Sequence, residues 1–390
     1  MKEALLYTKW IKESFVKCTA CNHFCQIPNW KSWICWIRAN FDWKLYLLTY
    51  WKALWVNVDP IEKKPLFHVL PWDVVFSFWT AWCNFSCTFC QNWQMSQIKA
   101  TTTISKSDND GRIYVSAEKL QTIWHDLLPS QIVKFCLTNW IKAIAYTYNE
   151  PTVFFEYAYD CMKLTRSSTV AEKIKNSNLS SWEIDTNIIN FFVTNGYESD
   201  YLWNLADWYL DAVNIDLKSF SEEFYKKYVW AKLEVVLENI KKVYEKYHFF
   251  MEVTTLIIPG ENDSDELIKQ TAKFIKDISP DIPWHISAFH PDWKMLNKPI
   301  TPVETLQKAY EIWKNEWLNY VYIWNVNLPE YETTYCPKCN KDLIIRSGYV
   351  GENVVINYVD DGMCPNCKTK IPWIFIKDGK YIVRKQTLFS

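Results

Sequence analysis

The stretch Val74-Val-Phe-Ser-Phe-Trp-Thr-Ala-Trp-Cys83-Asn-Phe-Ser-Cys87-Thr-Phe-Cys90 decides how this chain is read. It opens as a short apolar run of strand character and passes directly into three thiols spaced C-x3-C-x2-C. Three thiolates can hold three corners of an iron–sulfur cube and leave the fourth iron open to a ligand that is not protein. A zinc loop is the plainer alternative. Zinc sites usually present four protein ligands in paired short spacings, and no fourth thiol stands near these three.

Outward from that strand the pattern alternates. Strand-like runs at 74–78, 143–147, 188–194, 212–217, 249–257, 285–289 and 320–323 are separated by helix-length segments at 117–128, 151–164, 233–247, 264–278 and 302–315. Repeated β-then-α units predict an α/β fold, a partial (β/α) TIM-like barrel with its chemistry at the C-terminal ends of the strands. The thiol loop follows the first strand of that series. Residues 1–71 form a Cys-rich segment with little apolar periodicity, a strand signal at 44–49 and an irregular loop at 59–65. Residues 72–329 carry the barrel, and 330–390 change to short β-like runs around two C-x2-C pairs, with the boundary near Pro329. The polar stretches 101–112 and 165–187 read as surface excursions.

The 43 basic and 44 acidic groups leave a net charge of −1, which offers no broad footprint for nucleic acid or membrane. With no signal-peptide pattern and no apolar run near ~18 residues, a cytoplasmic protein is expected. Thirteen cysteines in such a chain point to metal and away from disulfides. Cys136 and Cys161 stand singly in apolar surroundings and read as small buried hydrophobes.

The glycine and tryptophan counts are abnormal, at 7 and 23. Tryptophan stands where a loop wants glycine in Asn29-Trp30-Lys31, Asp42-Trp43-Lys44, Pro71-Trp72-Asp73 and Asn139-Trp140-Ile141. Keeping Trp93 and Trp284 and exchanging the other 21 would turn 7 glycines into 28, which restores the ordinary glycine share of about 7%. The expectation is that the source reads UGA as glycine where the translation has tryptophan. The 38 lysines against 5 arginines fit an AT-rich coding sequence.

The thiol loop, followed by Gln91-Asn92-Trp93, resembles the signature of radical S-adenosylmethionine (SAM) enzymes. The resemblance implies that Cys83, Cys87 and Cys90 bind a 4Fe-4S cluster whose open iron is chelated by the methionyl amino and carboxylate groups of SAM. One electron then cleaves the sulfonium to a 5'-deoxyadenosyl radical, which abstracts hydrogen. It also implies that Phe89 lies near the adenine. The second strand ends in Tyr146-Thr-Tyr-Asn-Glu-Pro-Thr152, similar to the Gly-Gly-Glu-Pro that binds the methionyl ammonium; Glu150 and Pro151 match, while Tyr148 and Asn149 replace the glycines. Read alone, Asn-Glu-Pro is a common helix start.

Later strand ends resemble activating enzymes of the pyruvate formate-lyase type. Their Asp-Thr-Asn-Gly stands here as Val193-Thr194-Asn195-Gly196, their Asp-Leu-Lys as Asp216-Leu217-Lys218, and an aromatic-His pair as Phe289-His290. The resemblance makes Asn149, Glu150, Thr194, Asp216, Lys218 and His290 cofactor-binding candidates, with Lys218 for the cofactor carboxylate. Val193 removes the acid on which a cation site or peptide contact would be built. Asn57-Val-Asp-Pro-Ile-Glu-Lys-Lys-Pro-Leu-Phe-His68, Trp284-His-Ile-Ser-Ala-Phe-His-Pro291 and the paired C-terminal cysteines are similar to the radical SAM member of the AmmeMemoRadiSam system. In that family Trp33, Trp36, Trp79, Trp82 and Trp324 stand at glycine positions.

Cys336/Cys339 and Cys364/Cys367, two C-x2-C pairs with 24 residues between them, predict a tetrahedral four-thiolate site in a zinc-ribbon-like module. Zinc is the default there and iron the runner-up. Cys18, Cys21, Cys25 and Cys35, spaced 2-3-9, predict a second accessory site, zinc or an auxiliary iron–sulfur cluster, with a closed structural site favoured. The whole is expected to be a radical SAM oxidoreductase or activating enzyme, reduced by a flavodoxin- or ferredoxin-type donor. Its substrate is a protein, or a small molecule handled with Memo-like and AMMECR-like partners. The alternatives are a glycyl-radical enzyme activase of the pyruvate formate-lyase activating type and a non-catalytic metal-stabilised scaffold.

Overall fold

The computed structural model describes residues 1–10, 15–101, 113–116, 124–166, 181–184, 188–315, 318–347, 353–357, 362–377 and 380–384. Eight strands form the central sheet: β1 (Trp55–Pro60), β2 (Val74–Trp79), β3 (Ala143–Tyr146), β4 (Ile189–Thr194), β5 (Ala212–Asp216), β6 (Phe250–Ile257), β7 (Trp284–Ala288) and β8 (Val321–Trp324). They lie in sequential order. β2 to β8 run parallel, and β1 closes one edge antiparallel to β2. The seven parallel strands are those read from the sequence. Because both faces are covered they are nearly continuous apolar runs.

The flanking helices are α1 (Pro129–Thr138), α2 (Phe155–Thr165), α3 (Asp200–Ala206), α4 (Leu233–Lys246), α5 (Asp265–Ile278) and α6 (Val303–Asn315). α4 buries Val236, Ile240 and Val243, and α5 buries Ile268, Ala272 and Ile275, at the three- and four-residue spacing of one helical face. Ser264 caps α5 by accepting the Leu267 N–H at 3.4 Å.

Three expectations are corrected. Residues 124–128 of the helix expected at 117–128 are not helical: His125–Asp126 pairs with Lys52–Ala53, and α1 starts only at Pro129. Proline drives the residue before it out of the α region, and Leu128 stands extended at φ −69°, ψ 148°. The start of the loop expected at 59–65 is the end of β1, where Pro60 is tolerated because the strand is an edge. The N-terminal segment has a core: Val16, Ile27, Leu45 and Leu47 are fully buried in two small antiparallel sheets that join the main apolar cluster. In the excursion expected at 165–187, Ser181–Ile184 pairs with Lys380–Arg384. The expectations for 102–112, 117–123, 167–180 and 185–187 lie outside the described residues.

The base of the sheet is tied to the end of the chain. Leu70 N–H donates to Ile374 O at 3.0 Å and Ile374 N–H to His68 O at 2.8 Å. Glu252, on β6, accepts from Phe67 N–H at 3.0 Å and His68 N–H at 2.8 Å, and its Oε2 lies 2.6 Å from His285 Nε2. His68 Nδ1 faces Pro372 O at 2.7 Å, so that nitrogen carries the proton and Nε2 accepts from Tyr322 O–H at 2.7 Å. Arg346 adds bonds to Thr334 Oγ1 at 2.9 Å and Phe67 O at 2.6 Å.

Ten tryptophans have left-handed backbone. Trp30, Trp36, Trp43, Trp51, Trp72, Trp82, Trp140, Trp208, Trp230 and Trp293 have φ between 53° and 78°, ten of the seventeen non-glycine residues with positive φ among those described. The four quoted above as standing in glycine contexts, Trp30, Trp43, Trp72 and Trp140, are all among them. A side chain in that region costs about 1–2 kcal/mol, so ten cost about 10–20 kcal/mol, against a typical net stability of about 5–15 kcal/mol. Glycine takes the same backbone without that cost. A second signal agrees: the indole N–H groups of Trp79, Trp82, Trp124, Trp203 and Trp313 are buried without a partner. The two retained as genuine have partners, Trp284 Nε1 donating to Thr255 Oγ1 at 2.9 Å and Trp93 Nε1 to Asp292 Oδ1 at 2.8 Å, as do Trp324, to Glu62 O at 3.0 Å, and Trp373, to Gly362 O at 3.2 Å.

Candidate functional site

The Cys83–Cys90 loop leaves the C-terminal end of β2 and is held on several sides. Trp82 N–H donates to Met95 O at 3.0 Å, Ser86 N–H to Val229 O at 3.3 Å, and Thr88 N–H to Tyr228 O at 2.9 Å. Asn149, at the end of β3, spends its amide on the turn that enters the loop: Nδ2 donates to Trp82 O at 2.8 Å and Ala81 O at 3.3 Å. Asn149 therefore positions the thiol loop. Tyr148 beside it has φ 67°, the backbone its glycine counterpart would take, and its hydroxyl bonds Asp59 Oδ2 at 2.9 Å and Lys64 Nζ at 2.8 Å.

A cavity of about 320 Å³ opens at these strand ends. Cys83, Cys87, Cys90, Phe89, Asn149, Glu150, Thr194, Asp216 and Lys218 all line it. His290 does not; it is exposed, one residue beyond the buried Phe289, so the chain turns it away from the cavity. Cys83 Sγ accepts from Phe85 N–H at 3.3 Å and from Asn195 Nδ2 at 3.8 Å, and Cys90 Sγ lies 3.1 Å from Ser96 Oγ. Burial pushes all three thiols up; at Cys87, raised to about 12, Lys218 opposes the rise.

Glu150 is 3% exposed. Its Oε1 accepts from Thr152 N–H at 3.1 Å, Thr152 Oγ1 at 2.7 Å and Thr194 Oγ1 at 2.8 Å, and its Oε2 from Asn195 N–H at 2.9 Å. That leaves acceptor capacity on Oε2. The Thr194 hydroxyl also lies against Glu198, a fully buried carboxylate whose Oε2 has no partner, and its single proton serves only one of the two acids at a time. Burial raises both carboxyls, and the Glu150 charge raises Glu198 further. Neither has an ion-pair partner among the described residues, and of the two only Glu150 lines the cavity. Lys218 Nζ sits 2.6 Å from Asp216 Oδ2; burial works against its charge, but Asp216 and the thiols outweigh that and hold its pKa up. Glu198 went unnoticed in the sequence. Its only signal was a carboxylate four residues after Thr194. Gly196 between them needs its identity: φ is 73° and an added Cβ would lie 2.7 Å from Ile215 Cγ2.

Residues 77–275, just over half of the chain, match the Radical SAM superfamily. The chain belongs to that superfamily. Radical SAM membership implies an enzyme with a 4Fe-4S cluster and SAM, and the residues present fit both. Cys336, Cys339, Cys364 and Cys367 have sulfurs all within 4.8 Å of one another, and among the described residues they form the only such group. Cys83, Cys87 and Cys90 do not meet that limit as a group. Glu150 suits a cationic amino group, and Lys218 suits a carboxylate.

An uncharacterized protein of Methanocaldococcus jannaschii is 36% identical to this radical SAM chain over 374 residues, covering 95% of it and 99% of its own length. Among solved structures, a domain of pyruvate-formate lyase-activating enzyme from Bacteroides vulgatus aligns at 16% identity and TM-score 0.34, over 47% of this chain and 98% of its own. A radical SAM methyltransferase from Sphaerobacter thermophilus aligns at 10% identity and TM-score 0.44, over 64% of this chain and 66% of its own. Both scores are too low to assign an activity.

The accessory cysteines separate into two kinds. Cys336 and Cys367 sulfurs are 3.5 Å apart and those of Cys339 and Cys364 3.6 Å, close to the ~3.8 Å edge of a tetrahedron with ~2.3 Å metal–sulfur bonds. Cys18, Cys21, Cys25 and Cys35 surround a cavity of about 20 Å³ without converging in that way. Cys136 and Cys161 are fully buried, as expected of small hydrophobes. No helix among the described residues is long and apolar enough to cross a membrane.

Proposed function

We propose that this radical SAM enzyme reductively cleaves SAM and abstracts hydrogen from a substrate as a member of an AmmeMemoRadiSam system. The convergence of Cys83, Cys87, Cys90, Glu150 and Lys218 on one cavity, from three separate strand ends, carries this reading. The bound cluster and SAM supply the one-electron cleavage of the sulfonium and the hydrogen-abstracting 5'-deoxyadenosyl radical. The protein's part is binding and orientation. Glu150 offers its remaining acceptor site to the methionyl ammonium, Lys218 faces the methionyl carboxylate, and Phe89 packs near the adenine. The narrower assignment is supported by the long family-like stretch that begins at Asn57: Lys63, Lys64 and Pro65 from it line the same cavity.

The electron is expected from a flavodoxin- or ferredoxin-type protein in the cytoplasm, and the working partners are Memo-like and AMMECR-like proteins. The C-terminal four thiolates are assigned to zinc, as a ribbon-like module. Anaerobic reconstitution with iron and sulfide, followed by dithionite and SAM, should release 5'-deoxyadenosine. Glu150→Gln should lower that yield at least about tenfold, because losing a charge-assisted hydrogen bond is worth about 1.5–3 kcal/mol. Reconstituted protein that holds iron yet releases no 5'-deoxyadenosine would refute the reading in favour of a scaffold. A glycyl-radical enzyme gene beside this one, in place of Memo-like and AMMECR-like genes, would transfer it to the activases.

A further inference from the structure

The N-terminal cysteines do not behave as a single-ion site. Cys18, Cys21, Cys25 and Cys35 line one small cavity, and all four are free of disulfides. Yet no three of their sulfurs fall within 4.8 Å of one another, in contrast to the convergent C-terminal set.

Arg38 lies in the wall of the same cavity and is 1% exposed. Its terminal nitrogens bond Glu156 at 3.0 and 2.6 Å, while Nε has no partner. A buried cation with an unspent donor beside four thiols suits an anionic sulfur-rich centre. The cavity, at about 20 Å³, has room for one water-sized body. One wall is the Trp33 side chain, at a position read above as glycine; with glycine there the wall opens.

The cavity is also joined to the radical SAM loop. His23, between Cys21 and Cys25, places Nε2 2.9 Å from Asn84 O, and Asn84 follows Cys83 directly. Cys21 bridges to Glu198, and Asn22 Nδ2 donates to Glu198 O at 2.6 Å. We infer that Cys18, Cys21, Cys25 and Cys35 hold a second iron–sulfur cluster, coupled to the Cys83 loop through His23, which passes single electrons inward from a low-potential protein donor. The relay moves one electron and breaks no bond. Only that relay role rests on the proposed function; the metal site stands without it.

The test uses the full chain with glycine at the reassigned positions, reconstituted anaerobically with iron and sulfide, and counts metals alongside electron paramagnetic resonance after reduction. The C83A/C87A/C90A chain should retain about four irons and a reduced-cluster signal. The C18A/C21A/C25A/C35A chain should lose that signal and keep the radical SAM cluster. When both clusters are reduced, their spectra should broaden each other. A C83A/C87A/C90A chain that carries no iron and a second zinc in addition to the C-terminal one would overturn the inference. Should the N-terminal variant fail to fold, the C83A/C87A/C90A chain still decides the question, and it does so without SAM turnover.

Discussion

Trp82 immediately precedes the first cluster thiol, with φ 73° and a buried indole N–H that finds no acceptor. Glycine at that position removes both problems, and the same holds in part at nine further tryptophans. Genomic codons at Trp30, Trp82 and Trp140 are therefore expected to be UGA; UGG at these sites would refute the reading. Expressed side by side, the chain carrying glycine at the ten left-handed positions should have a higher melting temperature than the chain as written. At about 1–2 kcal/mol per site, the difference decides whether the protein folds at all. Equal melting temperatures would refute the argument. Asn149 is the other residue-scale lesson. The family resemblance marked it for cofactor binding, yet its amide is committed to the backbone of the thiol loop.

Among elements, the segment from Leu66 to Leu70 matters beyond its length, because it joins β6, β8 and the chain end through Glu252, His68 and Tyr322. Burial lowers the His68 pKa to about 4, with Arg346 and His285 acting in the same direction and Glu252 opposing. Below the ordinary value of 6.5 the unfolded chain takes up a proton that folded His68 refuses. Stability from this group is thus full above pH 6.5 and is lost as the pH falls towards 4, a total of about 3 kcal/mol. His68→Gln keeps one donor and one acceptor but does not titrate. Urea midpoints measured across this range should fall less steeply for H68Q than for the parent, and parallel slopes would show that His68 is not the responsible group. The same scale shows where sequence reading failed: α1 begins where Pro129 dictates, and β1 hides an edge strand behind the Asp59-Pro60 that ends it.

For the molecule as a whole, the seven parallel strands were legible because a strand covered on both faces must be apolar throughout. The site was legible wherever chemistry imposes a spacing, as in the thiol loop and the C-x2-C pairs. It was not legible where tertiary packing alone brings groups together. Glu198 joins Glu150 through Thr194, and His290, adjacent in sequence to a buried phenylalanine, turns outward. The C-terminal residues matter to the entire sheet, since Trp373–Lys377 lies against residues 68–70 and pairs with Lys380–Arg384. Truncation before Cys364 should leave His68, Val69 and Leu70 without their backbone partners and abolish cooperative unfolding, detected as loss of a single sharp calorimetric transition. A truncated chain with an unchanged transition would show the module to be dispensable.

The hydrogen bonds between Ile374 and the segment at 68–70 carry a consequence for synthesis. On the ribosome, the base of the sheet has no lasting partner until Ile374 has emerged. Until then the strands that frame the Cys83–Cys90 loop stay unsealed at one end. Delivery of the radical SAM cluster is then a late event, one that waits for Ile374 to leave the ribosome and dock against residues 68–70.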